Sequence, residues 1–365
     1  MIRARFAIRV DASAEMGTGH VRRCLTLATS LRELGADCVF VTRDLGVDVD
    51  SLVRAAGLQT VKLQAPRGGF APGADDPAHA SWAHIGWRQD ADETVAALAA
   101  DPPAVLLVDQ YAFDARWHDR VRAGLGSRLS AIDDLGDRPL AVDLIVDPTL
   151  DADHRAKHRL SEPFAPIILG GPDYAILGSA YRHRGPFPVR RNVESVGIFM
   201  GGSDVDNASS LAWQAVRTVL GPAAPIEIAT TRVNPRLAEL LKLKDRDPNA
   251  KLLIDAPDLA SFFARHDLQI GAGGGATWER CYIGVPTVLV AFADNHLFVA
   301  QPLHRAGIVL FCEEGGRDAA ALAKDLASLA ADQPRRAAMS EQARALVDGG
   351  GIARIRVALH DLYAH

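Results

Sequence analysis

A glycine-rich turn that ends in a histidine is the first segment of the chain able to do chemistry. Gly17, Thr18, Gly19 and His20 follow a short apolar run, residues 6–10, and precede an amphipathic run. This pattern predicts a strand, a glycine loop and a helix, and the N–H groups at such a helix start bind anions. Because histidine titrates near neutral pH, we expect His20 to act as a base beside a phosphate site. The alternative is a tight turn whose histidine only caps the helix.

Two arginines follow this histidine in the first turn of the predicted helix. The helix dipole disfavours cations there, so we expect one of Arg22 and Arg23 to meet an anion. The spacing excludes a dinucleotide fingerprint, because Arg22 stands where GxGxxG requires its third glycine. A phosphate-binding P-loop is excluded as well, since no Gly-Lys-Ser/Thr sequence is present.

A second glycine turn opens the latter half of the chain. Gly201, Gly202, Ser203 and Asp204 follow an apolar run and precede a helix predicted over 206–220. The two glycines allow close approach of a ligand to the backbone, and Ser203 adds a hydroxyl. The alternative is that the Ser/Asp pair only caps the helix.

A run of three glycines, residues 273–275, gives the third turn. It lies between an apolar strand and a helix that opens at Thr277 or Trp278, and its N–H groups suit a diphosphate. Glu279 can accept hydrogen bonds from the two hydroxyls of a ribose, or it can complement the helix dipole. Asn295 follows a later apolar strand and offers a donor and an acceptor to a sugar, or caps the next helix.

Composition indicates a two-domain α/β protein. The 365 residues are 48% hydrophobic and 23% charged, and the net charge of −5 argues against nucleic-acid binding. The four cysteines form no CxxC pair, and neither metal-ligand spacing nor a cofactor motif is present. A signal peptide and a membrane span are not predicted, so we expect a cytoplasmic protein.

Apolar strands alternate with amphipathic helices in both halves, which predicts parallel sheets covered on both faces. The predicted strands are 6–10, 38–43, 60–64, 104–109, 128–133 and 143–147, then the run from Ser195 into the second glycine turn, 225–230, 251–255, 267–271, 286–291 and 308–312. The stretch 151–192 breaks the alternation, so we expect domains at 1–188 and 189–365, with the last helix packing back on the first. The loop 65–80 is either a lid or a plain surface loop.

Together, these segments resemble the UDP-sugar hydrolases of pseudaminic acid biosynthesis, a pathway that serves flagellin glycosylation. Those enzymes remove UDP from UDP-2,4-diacetamido-2,4,6-trideoxy-β-L-altropyranose. The resemblance runs from about residue 6 to about 312 and is carried by Asp11, Gly17–His20, Arg23-Cys24, Val108-Asp109 with Tyr111, Ile132–Leu135, Gly201–Asp204, Trp278–Arg280 and Ala293–Asn295. It implies the GT-B fold, in which two Rossmann-like domains face each other across a cleft that holds the active site.

The resemblance also implies roles for single residues. His20 would activate water, and Tyr111 and Asn295 would lie near the sugar. Residues of the three turns would bind the substrate, and Glu279 would bind the ribose; the turn residues are Gly17, Thr18, Gly19, Arg23, Gly202, Ser203, Asp204, Gly274, Gly275, Ala276 and Thr277. Cleavage would invert the anomeric carbon without a metal or cofactor, in a monomer that binds a UDP-sugar and neither nucleic acid nor membrane.

The chain departs from this family at two positions. Ala276 stands where a hydroxyl residue is common, so we expect Thr277 to supply that hydrogen bond. His296 stands where glutamine commonly follows the Asp-Asn pair. A GT-B glycosyltransferase that uses a UDP-sugar donor, a hydrolysing 2-epimerase and a nucleotide-sugar binding protein without turnover are the alternatives.

Overall fold

The computed structural model describes residues 4–150, 153–161, 164–181, 185, 187–291 and 294–364. The chain divides into two compact units, Met1–Ile176 together with Gly350–His365, and Leu177–Gly349. Each unit is built on one parallel sheet.

The first unit has a seven-stranded sheet in the order β3-β2-β1-β4-β5-β6-β7. Its elements are β1 (Arg5–Val10), α1 (Gly19–Arg32), β2 (Asp37–Arg43), α2 (Val49–Ala55), β3 (Gln59–Leu63), α3 (Trp87–Leu98), β4 (Val105–Asp109), α4 (Ala115–Leu125), β5 (Arg128–Ile132), β6 (Leu144–Asp147), α5 (His154–Lys157) and β7 (Ile167–Gly170). The strands β4 and β6 are fully buried, as their apolar sequences predict. The strand order reverses between β1 and β4.

The second unit has a six-stranded sheet in the order β10-β9-β8-β11-β12-β13. Its elements are β8 (Val196–Phe199), α6 (Ala208–Leu220), β9 (Ile226–Thr230), α7 (Leu237–Arg246), β10 (Ala250–Ile254), α8 (Ala260–Ala264), β11 (Leu268–Ala272), α9 (Ala276–Ile283), β12 (Thr287–Val290), α10 (Asp294–Arg305), β13 (Leu310–Cys312), α11 (Ala319–Ala331) and α12 (Gln333–Leu346). Here the order reverses between β8 and β11.

The final helix, α13 (Gly351–Ala364), belongs to the first unit. Gly351 packs so closely on the chain that a Cβ there would lie 2.2 Å from the carbonyl oxygen of Ala175. Arg356 of the same helix donates a 2.9 Å hydrogen bond to the Ser30 hydroxyl of α1. Among the described residues, none of the helices combines the length and the apolar character needed to cross a bilayer.

The structure differs from the sequence prediction between 151 and 192. The seventh strand, β7, lies in the stretch expected to be a connection, and its four residues between Pro166 and Gly171 are too short to give a periodic signal. The second unit begins at Leu177, before the expected boundary at 188. Tyr181 belongs to this unit and its ring packs edge-on against Tyr282 at 6.1 Å.

The burial of His118 makes the free energy of unfolding depend on pH. Its side chain in α4 is 1% exposed and packs edge-on against Trp117. Burial, reinforced by Arg138 and Arg122 against the opposing Asp133, lowers the pKa of His118 to about 3. Because an unfolded histidine titrates near 6.5, the unfolded chain binds this extra proton as the pH falls from about 6.5 towards 3, and stability is lost across that window.

We expect His118→Phe to flatten the pH dependence of the free energy of unfolding. For the wild type, this histidine contributes a loss of about 3 kcal/mol between pH 6.5 and 4. Urea unfolding at a series of pH values measures the slope, and the same substitution at exposed His360 is the control. Equal slopes in the wild type and His118→Phe would contradict the assignment.

Candidate functional site

His20 and Asp109 form a hydrogen-bonded pair at the carboxyl edge of the first sheet. His20 is the second residue of α1, which follows β1, and Asp109 is the last residue of β4. These neighbouring strands flank the reversal of strand order, the place where open parallel sheets bind ligands. His20 Nδ1 lies 2.6 Å from Asp109 Oδ1. Within the described part of the chain, Nε2 of His20 makes no hydrogen bond, and the side chain is 12% exposed.

Arg23 holds Asp109 in its ionised form. Arg23 Nε and Nη2 lie 2.6 and 2.7 Å from the two oxygens of Asp109, and Nη1 lies 2.6 Å from Asp134 Oδ2. Burial alone would raise the pKa of Asp109, but Arg23 and His20 outweigh it and keep that pKa well below its usual range. An ionised carboxylate only accepts, so it takes the Nδ1–H of His20 and leaves the lone pair of the neutral ring on Nε2.

Arg23 is predicted from the sequence to contact the substrate, and the structure places its guanidinium between two protein carboxylates instead. Burial lowers its pKa less than Asp109 and Asp134 raise it, so the pKa of Arg23 lies well above its ordinary value. The anion that the sequence predicts for this first-turn cation is therefore internal to the protein. Arg23 positions Asp109, and through it His20.

Aromatic rings pack edge-on against His20. The Tyr111 ring lies 4.8 Å and the Trp82 ring 6.4 Å from the His20 ring, both edge-on. His79 packs against Trp82 and Tyr111 at 4.7 and 5.7 Å. Trp82 Nε1 donates a 3.0 Å hydrogen bond to Glu15 Oε1. These rings form an aromatic enclosure of Trp82, His79 and Tyr111, the type of lining that small-molecule sites use.

The Tyr111 hydroxyl is engaged by the protein. It donates a 2.8 Å hydrogen bond to Asp134 Oδ2, and Arg23 Nη2 lies 3.4 Å away. Burial, together with the charge of Asp134, raises the pKa of Tyr111 well above its ordinary value. Tyr111 therefore stays a neutral donor, and its ring rather than its proton faces His20.

The turn before His20 is shaped by its own backbone. Gly17 has a φ of +68° and donates a 2.8 Å hydrogen bond to the carbonyl of Ser13. Thr18 is buried and its side chain caps nothing. At Gly19 a Cβ would meet no atom within 4 Å, so the backbone is open to a ligand at this position.

Asp11 is bound by residues of neighbouring strands and not by the residues around His20. Its side chain is fully buried. It accepts hydrogen bonds from Arg9 Nη1 at 2.5 Å, the Arg43 N–H at 2.7 Å and Gln110 Nε2 at 3.1 Å. Its place after β1 predicts a polar residue at the ligand edge, and its contacts show instead that it ties β1 to β2 and β4.

The glycine turns of the second unit lie at the reversal of strand order in their own sheet. Gly202 offers its carbonyl to the Thr231 hydroxyl at 2.7 Å, and Ser203 is half-buried. Asp204, with a φ of +38°, accepts hydrogen bonds from the N–H groups of Ala208 and Ser209 at 2.8 and 3.1 Å. Its carboxylate therefore caps α6, the alternative that the sequence left open.

The triple-glycine turn is open at its tip. A Cβ at Gly274 or Gly275 would meet no atom within 4 Å, and Ala276 begins the eight-residue helix α9. Thr277 is expected from the sequence to lend a hydroxyl to a phosphate, but its side chain is fully buried. Its Oγ1 lies 3.4 Å from the carbonyl of Ala272 and accepts a 3.0 Å hydrogen bond from Arg280. The Thr277 hydroxyl is therefore engaged inside the protein, and the turn itself offers a ligand its backbone N–H groups.

Glu279 is half-buried in the first turn of α9, beside the Tyr181 hydroxyl. Burial, with the charge of Glu279 next, raises the pKa of Tyr181 above its ordinary range. The side chain of Asn295 lies outside the described part of the structure. Burial, with the nearby cation Arg280, lowers the pKa of His296 to about 4, so His296 is neutral at neutral pH.

Sequence reasoning assigns no role to three of the residues around His20. Asp109 and Asp134 stand at the carboxyl ends of predicted strands, which marks them as polar residues at the ligand edge of the sheet without assigning a task to either. Trp82 follows a loop-like segment more than sixty residues after His20, and nothing in its local sequence marks it. Its place beside His20 depends on the packing of the 3₁₀ helix Ala80–Ala83.

Comparison with known proteins gives distant relatives by sequence. The chain is 26% identical over 209 residues to the spore coat polysaccharide biosynthesis protein SpsG of Bacillus subtilis strain 168, covering 54% of this chain and 59% of that protein. It is 21% identical over 300 residues to the uncharacterized protein MJ1062 of Methanocaldococcus jannaschii, covering 78% and 55%. The chain spans less than two thirds of the length of these curated relatives. No protein-family model matches it.

Solved structures show the fold. MurG of Acinetobacter baumannii matches with a TM-score of 0.65 at 12% identity, over 98% of this chain and 99% of that one. The spinosyn rhamnosyltransferase SpnG, complexed with thymidine diphosphate, matches with a TM-score of 0.59 at 19% identity, over 98% and 100%. The predicted fold class is confirmed: this chain has the GT-B glycosyltransferase fold, with two Rossmann-like α/β units.

Proposed function

We propose that this chain hydrolyses a UDP-linked 2,4-diacetamido-2,4,6-trideoxyhexose to UDP and the free sugar, as a step in pseudaminic acid biosynthesis. The observation that carries the proposal is the His20–Asp109 pair, with Nδ1 bonded at 2.6 Å and Nε2 open within the aromatic enclosure. This arrangement suits a general base, because the carboxylate fixes the tautomer and leaves the lone pair on the other nitrogen.

The proposed reaction is attack by water on the anomeric carbon. The water oxygen bonds to that carbon from the face opposite UDP, and Nε2 of His20 takes the proton. The bond from the anomeric carbon to the diphosphate oxygen breaks, the electron pair leaves with UDP, and the configuration inverts. The open N–H groups of the 274–276 turn stabilise the negative charge that develops on the diphosphate.

Each group near the site then has an assigned task. Asp109 and Arg23 position His20, and the Trp82 and Tyr111 rings contact the apolar face of the sugar and exclude water other than the nucleophile. The first relative's name links it to polysaccharide biosynthesis, and SpnG with thymidine diphosphate is a case of this fold holding a nucleoside diphosphate. Both support a nucleotide-linked sugar as the substrate class.

A glycosyltransferase on the same fold is the second candidate, favoured by the names of structural neighbours such as SpnG. Such an enzyme transfers the sugar to an acceptor hydroxyl, and His20 would take the acceptor's proton in place of that of water. An assay without any acceptor separates the two activities.

The test is incubation with a panel of UDP- and CMP-linked sugars in EDTA, with no acceptor, followed by NMR of the products. We expect UDP and the free diacetamido-trideoxy sugar in equal amounts, with its configuration at C2 retained. An inverted C2 would indicate a hydrolysing epimerase. Turnover that starts only when an acceptor is added would indicate a transferase, and binding without a product would indicate a non-catalytic binding protein.

A further inference from the structure

Arg280 is a buried cation that the protein leaves largely without acceptors. Its side chain in α9 is 1% exposed. Nη2 donates to the carbonyl of Ala272 at 2.7 Å and to the Thr277 hydroxyl at 3.0 Å. Nε and Nη1 have no hydrogen-bond partner in the described structure. A guanidinium carries five donors, so most of its hydrogen-bonding capacity is unused.

Among the described residues, the other buried arginines have a carboxylate partner or a larger set of carbonyl acceptors. Arg9 and Arg43 both bond Asp90, at 2.6 and 2.8 Å. Arg336, in the second unit with Arg280, donates to the carbonyls of Leu329, Ala330, Arg190 and Arg191. Arg280 has two neutral oxygen acceptors and the Phe263 ring at 5.7 Å, and among the described residues it makes no hydrogen bond to a carboxylate. A buried charge compensated this weakly costs free energy, which a bound anion would offset.

The position of Arg280 identifies where that anion binds. Its two acceptors, Ala272 and Thr277, lie on either side of the triple-glycine turn, so the guanidinium lies at the base of the turn. The strand is shaped around it, because a Cβ on Gly271 would lie 2.3 Å from Arg280 Nη1. Burial lowers its pKa to about 10, although Cys281 and Glu279 oppose the shift, so the side chain is still charged at neutral pH.

We propose that Arg280 is the fixed counter-charge for the diphosphate at the triple-glycine turn, acting from beneath the turn while the open N–H groups of 274–276 contact the phosphates. This proposal rests on the proposed function and adds a residue to it. A buried charge in a low-dielectric site acts over several ångströms, and the pre-formed guanidinium needs no reorganisation when the ligand binds.

The test compares ligands that differ only in phosphate. Affinities for uridine, UMP, UDP and inorganic pyrophosphate are measured by calorimetry for the wild type, Arg280→Lys, Arg280→Met and the control Arg336→Met. We expect Arg280→Met to weaken UDP and pyrophosphate binding by roughly ten- to fifty-fold and to leave uridine within about twofold. Arg280→Lys keeps most of the phosphate-dependent affinity. Arg336→Met lowers the melting temperature and leaves the ratio of UDP to uridine affinity unchanged.

A readout on the native side chain covers the case in which Arg280→Met does not fold. The Nε–H resonance of Arg280, assigned by its loss in Arg280→Lys, shifts when pyrophosphate or UDP is added and does not shift with uridine. The proposal would be overturned if Arg280→Met lost uridine and UDP affinity equally, or if pyrophosphate did not change the chemical shift of the Arg280 Nε–H.

The outcomes separate this proposal from the proposed function. Binding of pyrophosphate that depends on Arg280, without binding of uridine nucleotides, keeps the counter-charge and removes the UDP-sugar substrate. UDP binding that does not change when Arg280 is replaced keeps the UDP-sugar substrate and removes the counter-charge. A wild type that binds neither pyrophosphate nor UDP overturns both.

Discussion

Replacing His20 with asparagine is expected to lower kcat by roughly 10²- to 10⁴-fold, the usual contribution of a general base. Asparagine keeps a donor towards Asp109 but has no basic nitrogen in place of Nε2, so water loses its proton acceptor. The affinity for UDP should change little, because the proposed diphosphate contacts belong to the 274–276 turn. Initial rates measured together with UDP titrations separate the two effects.

The chain offers a matched control for this substitution at His84. This histidine is exposed and has a φ of +57°, a conformation that asparagine tolerates well. His84→Asn should keep wild-type kcat and wild-type stability. If His20→Asn were as active as this control, His20 would not be the base.

Asp109→Asn is expected to have the second largest effect, because it acts on both activity and stability. The amide cannot compensate Arg23, and breaking a buried ion pair costs about 3–5 kcal/mol of unfolding free energy. The introduced amide would also be able to offer His20 an N–H, which favours the wrong tautomer and removes the lone pair from Nε2. We expect kcat to fall by at least about 10²-fold in the molecules that remain folded.

The control variant Asp143→Asn separates the effect on stability from the effect on activity. Asp143 also pairs with an arginine of the first unit, with Arg122 Nη1 at 2.8 Å, but it precedes β6 at the opposite edge of the sheet. This variant should lose stability and keep its kcat per folded molecule. Urea unfolding and active-site titration give both quantities, and an Asp109→Asn enzyme with wild-type kcat per folded molecule would contradict the role of the pair.

The sequence predicts the elements that repeat regularly and the polar residues at their ends. Apolar runs alternating with amphipathic runs indicate both sheets, and the glycine turns fall at the reversals of strand order. His20 is predicted as a candidate base because its turn follows the first strand. β7 is missed because four residues carry no period that distinguishes a strand from a loop.

The direction in which a side chain points could not be predicted from the sequence. Position at a helix start favours Arg23 as a ligand for phosphate, yet its guanidinium lies between Asp109 and Asp134. Position after the glycines favours Thr277 as a phosphate donor, yet its hydroxyl is turned inward. In both cases the residue type is compatible with either partner, and only the packing of distant strands decides which one it meets.

The most direct test of the account is hydrolysis of the UDP-sugar in H₂¹⁸O without an acceptor. We predict one ¹⁸O atom on the anomeric carbon of the released sugar and none in UDP, because water attacks carbon and the carbon–oxygen bond breaks. Label in the β-phosphate of UDP, or no release of UDP until an acceptor is supplied, would contradict the claim that His20 directs water at the sugar.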